Sequence, residues 1–81
     1  MADRKMAEVF PPGEFIKEEL EARGWSQIDL SEIIGRQPNV VNEIVMGKRS
    51  ITPETAKALG EAFGTTAQIW MNLETAYQLW K

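Results

Sequence analysis

The feature that most constrains the fold of this chain is the stretch 26–49, where a glycine separates two short segments with helical apolar spacing. Ser26 can cap a helix because its hydroxyl accepts a hydrogen bond from a first-turn N–H, and Asp29 can complete a reciprocal capping box. The apolar residues that follow are Ile28, Leu30, Ile33 and Ile34. Gly35 lies where a left-handed residue would end this helix. The sequence therefore predicts a short helix between Ser26 and Gly35.

The second segment begins at Pro38, since proline suits the first turn of a helix and has no N–H to leave unpaired. Its apolar residues form one narrow face: Val41, Ile44 and Val45. Gly47 ends the segment, and Lys48 and Arg49 follow directly. Two short helices about a glycine turn, the second of them half polar, are the arrangement of a helix-turn-helix at about residues 26–47.

Helix start and stop signals predict one helix before this motif and two after it. Their predicted bounds are Pro12 or Gly13 to Gly24, Pro53 to about Phe63 with Thr52 as the cap, and about Ala67 to Trp80 with Thr65 or Thr66 as the cap. Their predicted buried residues are Phe15, Ile16, Leu20 and Ala22; Ala56, Leu59, Ala62 and Phe63; and Ile69, Trp70, Leu73, Ala76, Tyr77 and Trp80. Trp25 is expected to fill the core. The prediction is an all-α fold of five helices around one core, with the domain at 11–81 and a flexible tail at 1–10.

The composition limits the chemistry that such a domain can perform. The 81 residues include neither cysteine nor histidine, so we expect no disulfide, no metal site and no cofactor. Without these residues, and without a glycine-rich phosphate loop, an enzyme is not expected. No apolar run approaches the ~20 residues that span a bilayer, and no signal-peptide pattern is visible. A cytoplasmic location is therefore predicted.

The charge distribution bears on the choice of partner. The net charge of −3 argues against a simple nucleic-acid binder. Residues 26–50, however, contain three basic and three acidic residues, so the predicted helix-turn-helix is the least acidic third of the chain. It is electrically balanced rather than a basic patch.

Four segments carry a resemblance to a known family: PPGEFIKEEL, WSQIDLSEIIG, VMGKRSITPETAKALGEAFGTT and IWMNLETAYQLW. With these segments the chain resembles the HigA/VapI type of antitoxin, within the lambda repressor-like (XRE) group of helix-turn-helix proteins. The match covers roughly residues 11–80. The run G-K-R-x-I-T-P-E-T-A and the ending W-x-N-L-x-x-A-Y are fairly specific together, whereas either alone would be weak.

The resemblance implies a DNA-binding transcriptional repressor, usually a homodimer on a palindromic operator. Many members also bind and neutralise a toxin encoded beside them, so a cognate toxin is a second expected partner. A similar domain precedes ImmA/IrrE-type metallopeptidases, and the end at Trp80-Lys81 would suit an excerpt of such a longer protein. No membrane partner is expected.

The positions of the family motif also suggest which side chains would contact DNA. Gln27 would reach a phosphate beside the N-terminus of the first motif helix. The exposed face of the second motif helix is expected to contain Gln37, Asn39, Val40, Asn42 and Glu43. Asn39 is the best candidate for binding an adenine, because its amide can donate and accept on one base edge, and Val40 could touch a thymine methyl. The alternative is that these residues are merely solvated.

Three residues depart from the family pattern. Arg36 occupies a turn position where a small apolar residue is usual, and it could point outward to phosphate. Pro38 replaces a side chain that often contacts a base. Glu43 would repel phosphates, although it could accept from cytosine N4. Lys48 and Arg49 are expected to bind phosphates from the following loop, unless they form only an exposed basic turn.

Two further questions stay open at the level of sequence. The acidic balance and Glu43 also fit a protein-interaction module that kept the fold but lost DNA binding. The aromatic residues Trp70, Tyr77 and Trp80 exceed what one short helix needs, so they serve either a homodimer interface or the monomer core.

Overall fold

Five α-helices form the regular structure of residues 10–81, which is the part of the chain that the computed structural model describes. They are α1 (Pro12–Arg23), α2 (Gln27–Ile34), α3 (Pro38–Val45), α4 (Pro53–Phe63) and α5 (Ala67–Trp80), and this range contains no strand. The predicted all-α class and five-helix arrangement are confirmed. The predicted flexible tail lies outside the described residues except for Phe10, which is exposed. Within residues 10–81, no helix combines the length and apolar character needed to cross a membrane.

Local capping interactions fix where the helices begin. At α2, the Asp29 N–H donates to Ser26 Oγ at 3.0 Å and the Ser26 N–H donates to Asp29 Oδ2 at 2.9 Å, which is the predicted capping box. Thr52 Oγ1 accepts from the Thr55 N–H at the start of α4, and Thr66 Oγ1 accepts from the Ile69 N–H at the start of α5. The predicted starts of these helices are therefore confirmed.

The core joins all five helices around α3 and α4. Its buried apolar residues are Ile16, Leu20, Leu30, Val41, Ile44, Val45, Ile51, Ala56, Leu59, Phe63 and Trp70. Helix α1 packs on α3, and α5 packs along α4. Trp25 packs at the edge of this core, half-buried, with its ring 6.0 Å from that of Phe63. The Arg23 guanidinium, which also pairs with Glu19, lies over both rings.

Two glycines allow helices to approach closely. A Cβ on Gly13 would lie 2.1 Å from the Val45 carbonyl oxygen, so the start of α1 contacts the last turn of α3 backbone to backbone. A Cβ on Gly60 would lie 2.9 Å from the Thr66 carbonyl carbon, where the chain enters α5. Glycine at position 60 therefore lets the chain pass close to α4 where α5 begins.

Only part of the apolar stripe of α2 is buried. Ile28 is 58% exposed and Ile33 is 50% exposed. The buried face is centred on Leu30, Ser31 and Ile34, and at 100° per residue the two exposed isoleucines lie to either side of it. Ser31 belongs on this face because its hydroxyl donates to the Ile28 carbonyl at 2.7 Å, which satisfies the group without another partner.

The predicted stripe of α5 divides into two faces. Trp70 is buried in the core and Tyr77 is half-buried, whereas Ile69, Ala76 and Trp80 are exposed. Residues 69, 73, 76 and 80 recur at three- and four-residue spacing, so they form a second face about 90° from the packed one. Ala22 of α1 is likewise exposed instead of buried. The apolar stripe of α5 is too wide to be buried on one face of a helix, which is why the burial predictions for α5 fail in part.

Candidate nucleic-acid interface

Helix α3 exposes one polar face because its apolar residues all point to the other side. Val41, Ile44 and Val45 are buried, whereas Asn39 and Asn42 are exposed. The helix follows a tight turn in which Gly35 adopts a left-handed conformation with φ of 71°. The side-chain amides of both asparagines are therefore exposed on the same face of this short helix.

A hydrogen bond joins the two helices of the motif across this surface. Asn42 Nδ2 donates to Gln27 Oε1 at 3.1 Å. Gln27 is the first residue of α2, where backbone N–H groups without helical partners also face outward. The pair leaves Asn42 Oδ1 free to accept and Gln27 Nε2 free to donate. One hydrogen-bonded unit thus presents groups suited both to a base edge and to a phosphate.

Glu43 forms an ion pair with Arg49 in the loop after α3. Arg49 donates from Nε at 2.8 Å and from Nη2 at 2.6 Å, both to Glu43 Oε1. The pair offsets the negative charge that the sequence placed on this face. Both side chains are about half exposed, and such pairs contribute only about 0–1 kcal/mol. A phosphate can therefore compete for Arg49.

Arg36 makes a contact that the sequence did not predict. Its Nη2 lies 3.1 Å from Glu54 Oε1, in the first turn of α4. Glu54 is 83% exposed at its side chain, so this pair is also weak. Arg36 consequently points toward α4 in this structure. It takes no part in the Gln27–Asn42 hydrogen bond or the Glu43–Arg49 ion pair.

The other predicted contact residues differ in exposure. Gln37 is exposed and caps α3 without a side-chain hydrogen bond. Val40 is half-buried and packs against the core, so only part of it can face a ligand. Lys48 is exposed and pairs with no acidic group among residues 10–81.

Sequence reasoning missed the residues that hold the loop between α3 and α4. Glu74 is 7% exposed, and its Oε1 accepts from the Ile51 N–H at 3.1 Å. Among the described acidic residues, Glu74 is the one that is buried. A signal was available, because Glu74 follows Trp70 by four residues and so falls on the packed face of α5.

These features have counterparts in known proteins. The chain matches the helix-turn-helix family over residues 16–70, a range that includes all of α2, α3 and α4. The chain belongs to the helix-turn-helix family. It is 44% identical over 69 residues to virulence-associated protein I of Dichelobacter nodosus. That alignment covers 84% of this chain and 64% of the relative, so the chain spans less than two thirds of the relative's length.

Solved structures of the same family share the fold. An addiction module antidote protein of a HigA family from Coxiella burnetii is 39% identical, with a TM-score of 0.82 over 86% of this chain and 77% of that one. Pseudomonas aeruginosa antitoxin HigA, solved with the higBA promoter, is 36% identical, with a TM-score of 0.84 over 89% of this chain and 79% of that one. The predicted resemblance to HigA-type antitoxins is confirmed, and the predicted regulatory class agrees with it.

Proposed function

We propose that the domain is a sequence-specific DNA-binding transcriptional regulator that inserts α3 into the major groove. The observation that carries this proposal is the exposed amide face of α3, where Asn42 is tied to Gln27 by a 3.1 Å hydrogen bond. An α-helix fits the major groove, and an asparagine amide can donate to N7 and accept from the N6 amine on the adenine edge exposed there. The similarity to an antitoxin solved with its promoter supports the same reading.

Each exposed side chain has a role in this proposal. Asn39 binds adenine, and Asn42 and Gln37 make further base contacts, while the exposed part of Val40 touches a thymine methyl. Glu43 accepts from a cytosine amine if Arg49 turns to a phosphate. The phosphate contacts come from Gln27 at the start of α2 and from the basic side chains Arg36, Lys48 and Arg49.

The test compares the affinity for a duplex of the chain's own promoter with the affinity for a scrambled duplex. Asn39→Ala should lower the promoter affinity roughly 5- to 150-fold, since a bidentate base contact provides about 1–3 kcal/mol. Asn72→Ala is the matched control, because Asn72 is an exposed asparagine on α5. Fluorescence anisotropy measures both. Equal affinity of the unmodified protein for the two duplexes would overturn the proposal.

The exposed face of α5 supports a homodimer. Its apolar residues Ile69, Ala76 and Trp80 are exposed, Ile69 by 46% and Trp80 by 50%. A second copy would cover this face and would place two α3 helices on half-sites of a palindromic operator. Trp80→Glu should reduce the mass measured by light scattering from that of two chains to one, whereas Thr75→Glu on another face should not. A monomeric unmodified protein at micromolar concentration would rule out the dimer.

The antitoxin role adds a second partner. Proteins named as HigA antitoxins resemble this chain, so we propose that it also binds a toxin encoded beside it. The domain, which we place at residues 11–81, would act in the cytoplasm by binding alone and not by catalysis. Co-purification with the neighbouring gene product tests the toxin partner, and its absence from the complex would remove this part of the proposal.

A protein-interaction module without DNA binding is the second candidate function. The net charge of −3 and the position of Glu43 beside the asparagines favour it. The two candidates are separable in one experiment. A complex with the neighbouring gene product that survives Asn39→Ala and Lys48→Ala, together with no preference for promoter DNA, would select the second.

A further inference from the structure

A buried carboxylate on α5 holds the loop that follows α3. Glu74 Oε1 accepts from the Ile51 N–H at 3.1 Å, and Glu74 Oε2 accepts from Gln78 Nε2. Gln78 Nε2 also lies 3.3 Å from Ser50 Oγ. Two residues one turn apart on α5 thus bind two consecutive residues of the loop.

Polar contacts join the loop to α5 beside a small cavity. The cavity has a volume of about 70 Å³, and its lining includes Gly47, Lys48, Ser50, Glu74, Tyr77 and Gln78. Ile51 itself is buried, so its N–H has no access to water and needs a protein acceptor. Glu74 supplies that acceptor, and replacing it with an apolar side chain would leave the N–H unpaired.

We infer that Glu74 is a positioning residue for DNA binding, which it serves by fixing the loop that carries Lys48 and Arg49. This inference rests on the proposed function, because it assigns the phosphate contacts to that loop. Lys48 and Arg49 lie between Gly47, whose φ is 79°, and the anchored pair Ser50-Ile51. With Glu74 in place, the two basic side chains start from a fixed backbone beside α3. Without it, the loop backbone is not held beside α3, and ordering the two side chains on phosphates costs more conformational entropy, so fewer of these contacts form.

Gln78 links the loop to the exposed C-terminal end of α5. It follows Glu74 by one turn and adjoins Leu79 and Trp80, which are exposed. The phosphate-binding loop and the face proposed for a second copy therefore share one rigid element. A contact at the end of α5 would stabilise the same turn that holds Ser50.

The test measures promoter affinity at several salt concentrations for the full chain and for Glu74→Gln and Glu74→Leu. Glutamine keeps an acceptor for the Ile51 N–H, whereas leucine removes it. We expect Glu74→Leu to bind roughly 10-fold more weakly, with a salt slope smaller by about 1–2, because fewer phosphates are neutralised. Glu74→Gln should restore both values to within about threefold in affinity. Glu61→Leu is the matched control, since Glu61 is an exposed glutamate on α4.

Amide hydrogen exchange of Ile51 supplies a second readout that needs no DNA. Protection should be lost in Glu74→Leu and kept in Glu74→Gln. If Glu74→Leu does not fold, Gln78→Ala replaces it. A smaller decrease in salt slope is then expected, because the contacts of Gln78 with Ser50 and Glu74 are removed while the Ile51 N–H keeps its acceptor. A folded Glu74→Leu with unchanged salt slope, or with Ile51 still protected, would overturn the inference. If the unmodified protein shows no promoter preference, the proposed function fails, and Ile51 exchange still decides whether Glu74 fixes the loop.

Discussion

The exposed side chains on and beside α3 differ in what their chemistry could recognise in DNA. Asparagine amides form specific patterns with base edges, whereas a lysine ammonium attracts any phosphate. Asn39 and Lys48 are both exposed and lie before and after the buried part of α3. Their substitutions should therefore have different signatures, even where the loss of affinity is similar.

Lys48→Ala should weaken binding to promoter and scrambled duplexes by the same factor. Because one phosphate contact is lost, the slope of log affinity against log salt should decrease by about 1. Lys57→Ala, an exposed lysine on α4, is the control. Anisotropy titrations at four salt concentrations measure both slopes, and a loss confined to the promoter duplex would show that Lys48 contacts a base instead.

Glu43→Gln should strengthen binding to both duplexes and steepen the salt dependence. The substitution removes a negative charge near the phosphates and releases Arg49, which Glu43 holds at 2.6 and 2.8 Å. The expected gain is a few-fold, since an exposed ion pair contributes only about 0–1 kcal/mol. Weaker binding to the promoter alone would mean that the Glu43 carboxylate accepts from a base.

At the scale of the helices, close backbone approach sets the orientation of α3. The start of α1 contacts the Val45 carbonyl because Gly13 has no Cβ. The atoms that a Cβ would meet belong to the backbone of α3, so no side-chain movement could make room for it. This contact is far from Asn39 in sequence but fixes the opposite end of the same helix. The pose of α3 is thus a property of its packing partners and not of its own residues alone.

Gly13→Ala should destabilise the domain by about 1–3 kcal/mol, as overpacked sites do, because α1 must move away from α3. The melting temperature followed by circular dichroism measures this loss. Glu18→Ala, at an exposed position of the same helix, should change it little. An unchanged melting temperature for Gly13→Ala would show that α1 shifts without cost.

The sequence predicted the helices well because the signals at their ends are local. Ser26 and Asp29 cap α2, and Thr52 caps α4, through contacts three residues apart. Burial was harder to predict, as Ile28, Ile33 and Trp80 show, because it depends on which faces other helices cover. The family motif indicated which residues are candidates for the site, but it did not indicate which residues they pair with. Arg36–Glu54 joins residues 18 apart and Glu74–Ile51 residues 23 apart, distances at which sequence alone gives no contact.

At the scale of the whole molecule, the domain has two separate uncovered surfaces. One is the polar face of α3 with the loop after it, and the other is the apolar face of α5 that ends at Trp80. Glu74 and Gln78 join them, since both lie on α5 and bind the loop. Partner binding at the end of α5 and DNA binding at α3 should therefore favour one another if the partner is a second copy.

An NMR titration of the ¹⁵N-labelled chain with its promoter duplex would locate the DNA contacts residue by residue. We expect the largest shifts on the side-chain amides of Asn39 and Asn42 and on the backbone of residues 47–51. At the same salt concentration, the scrambled duplex should perturb only the loop. Shifts concentrated on α1 or α5, with both asparagine amides unchanged, would contradict this placement of the DNA contacts.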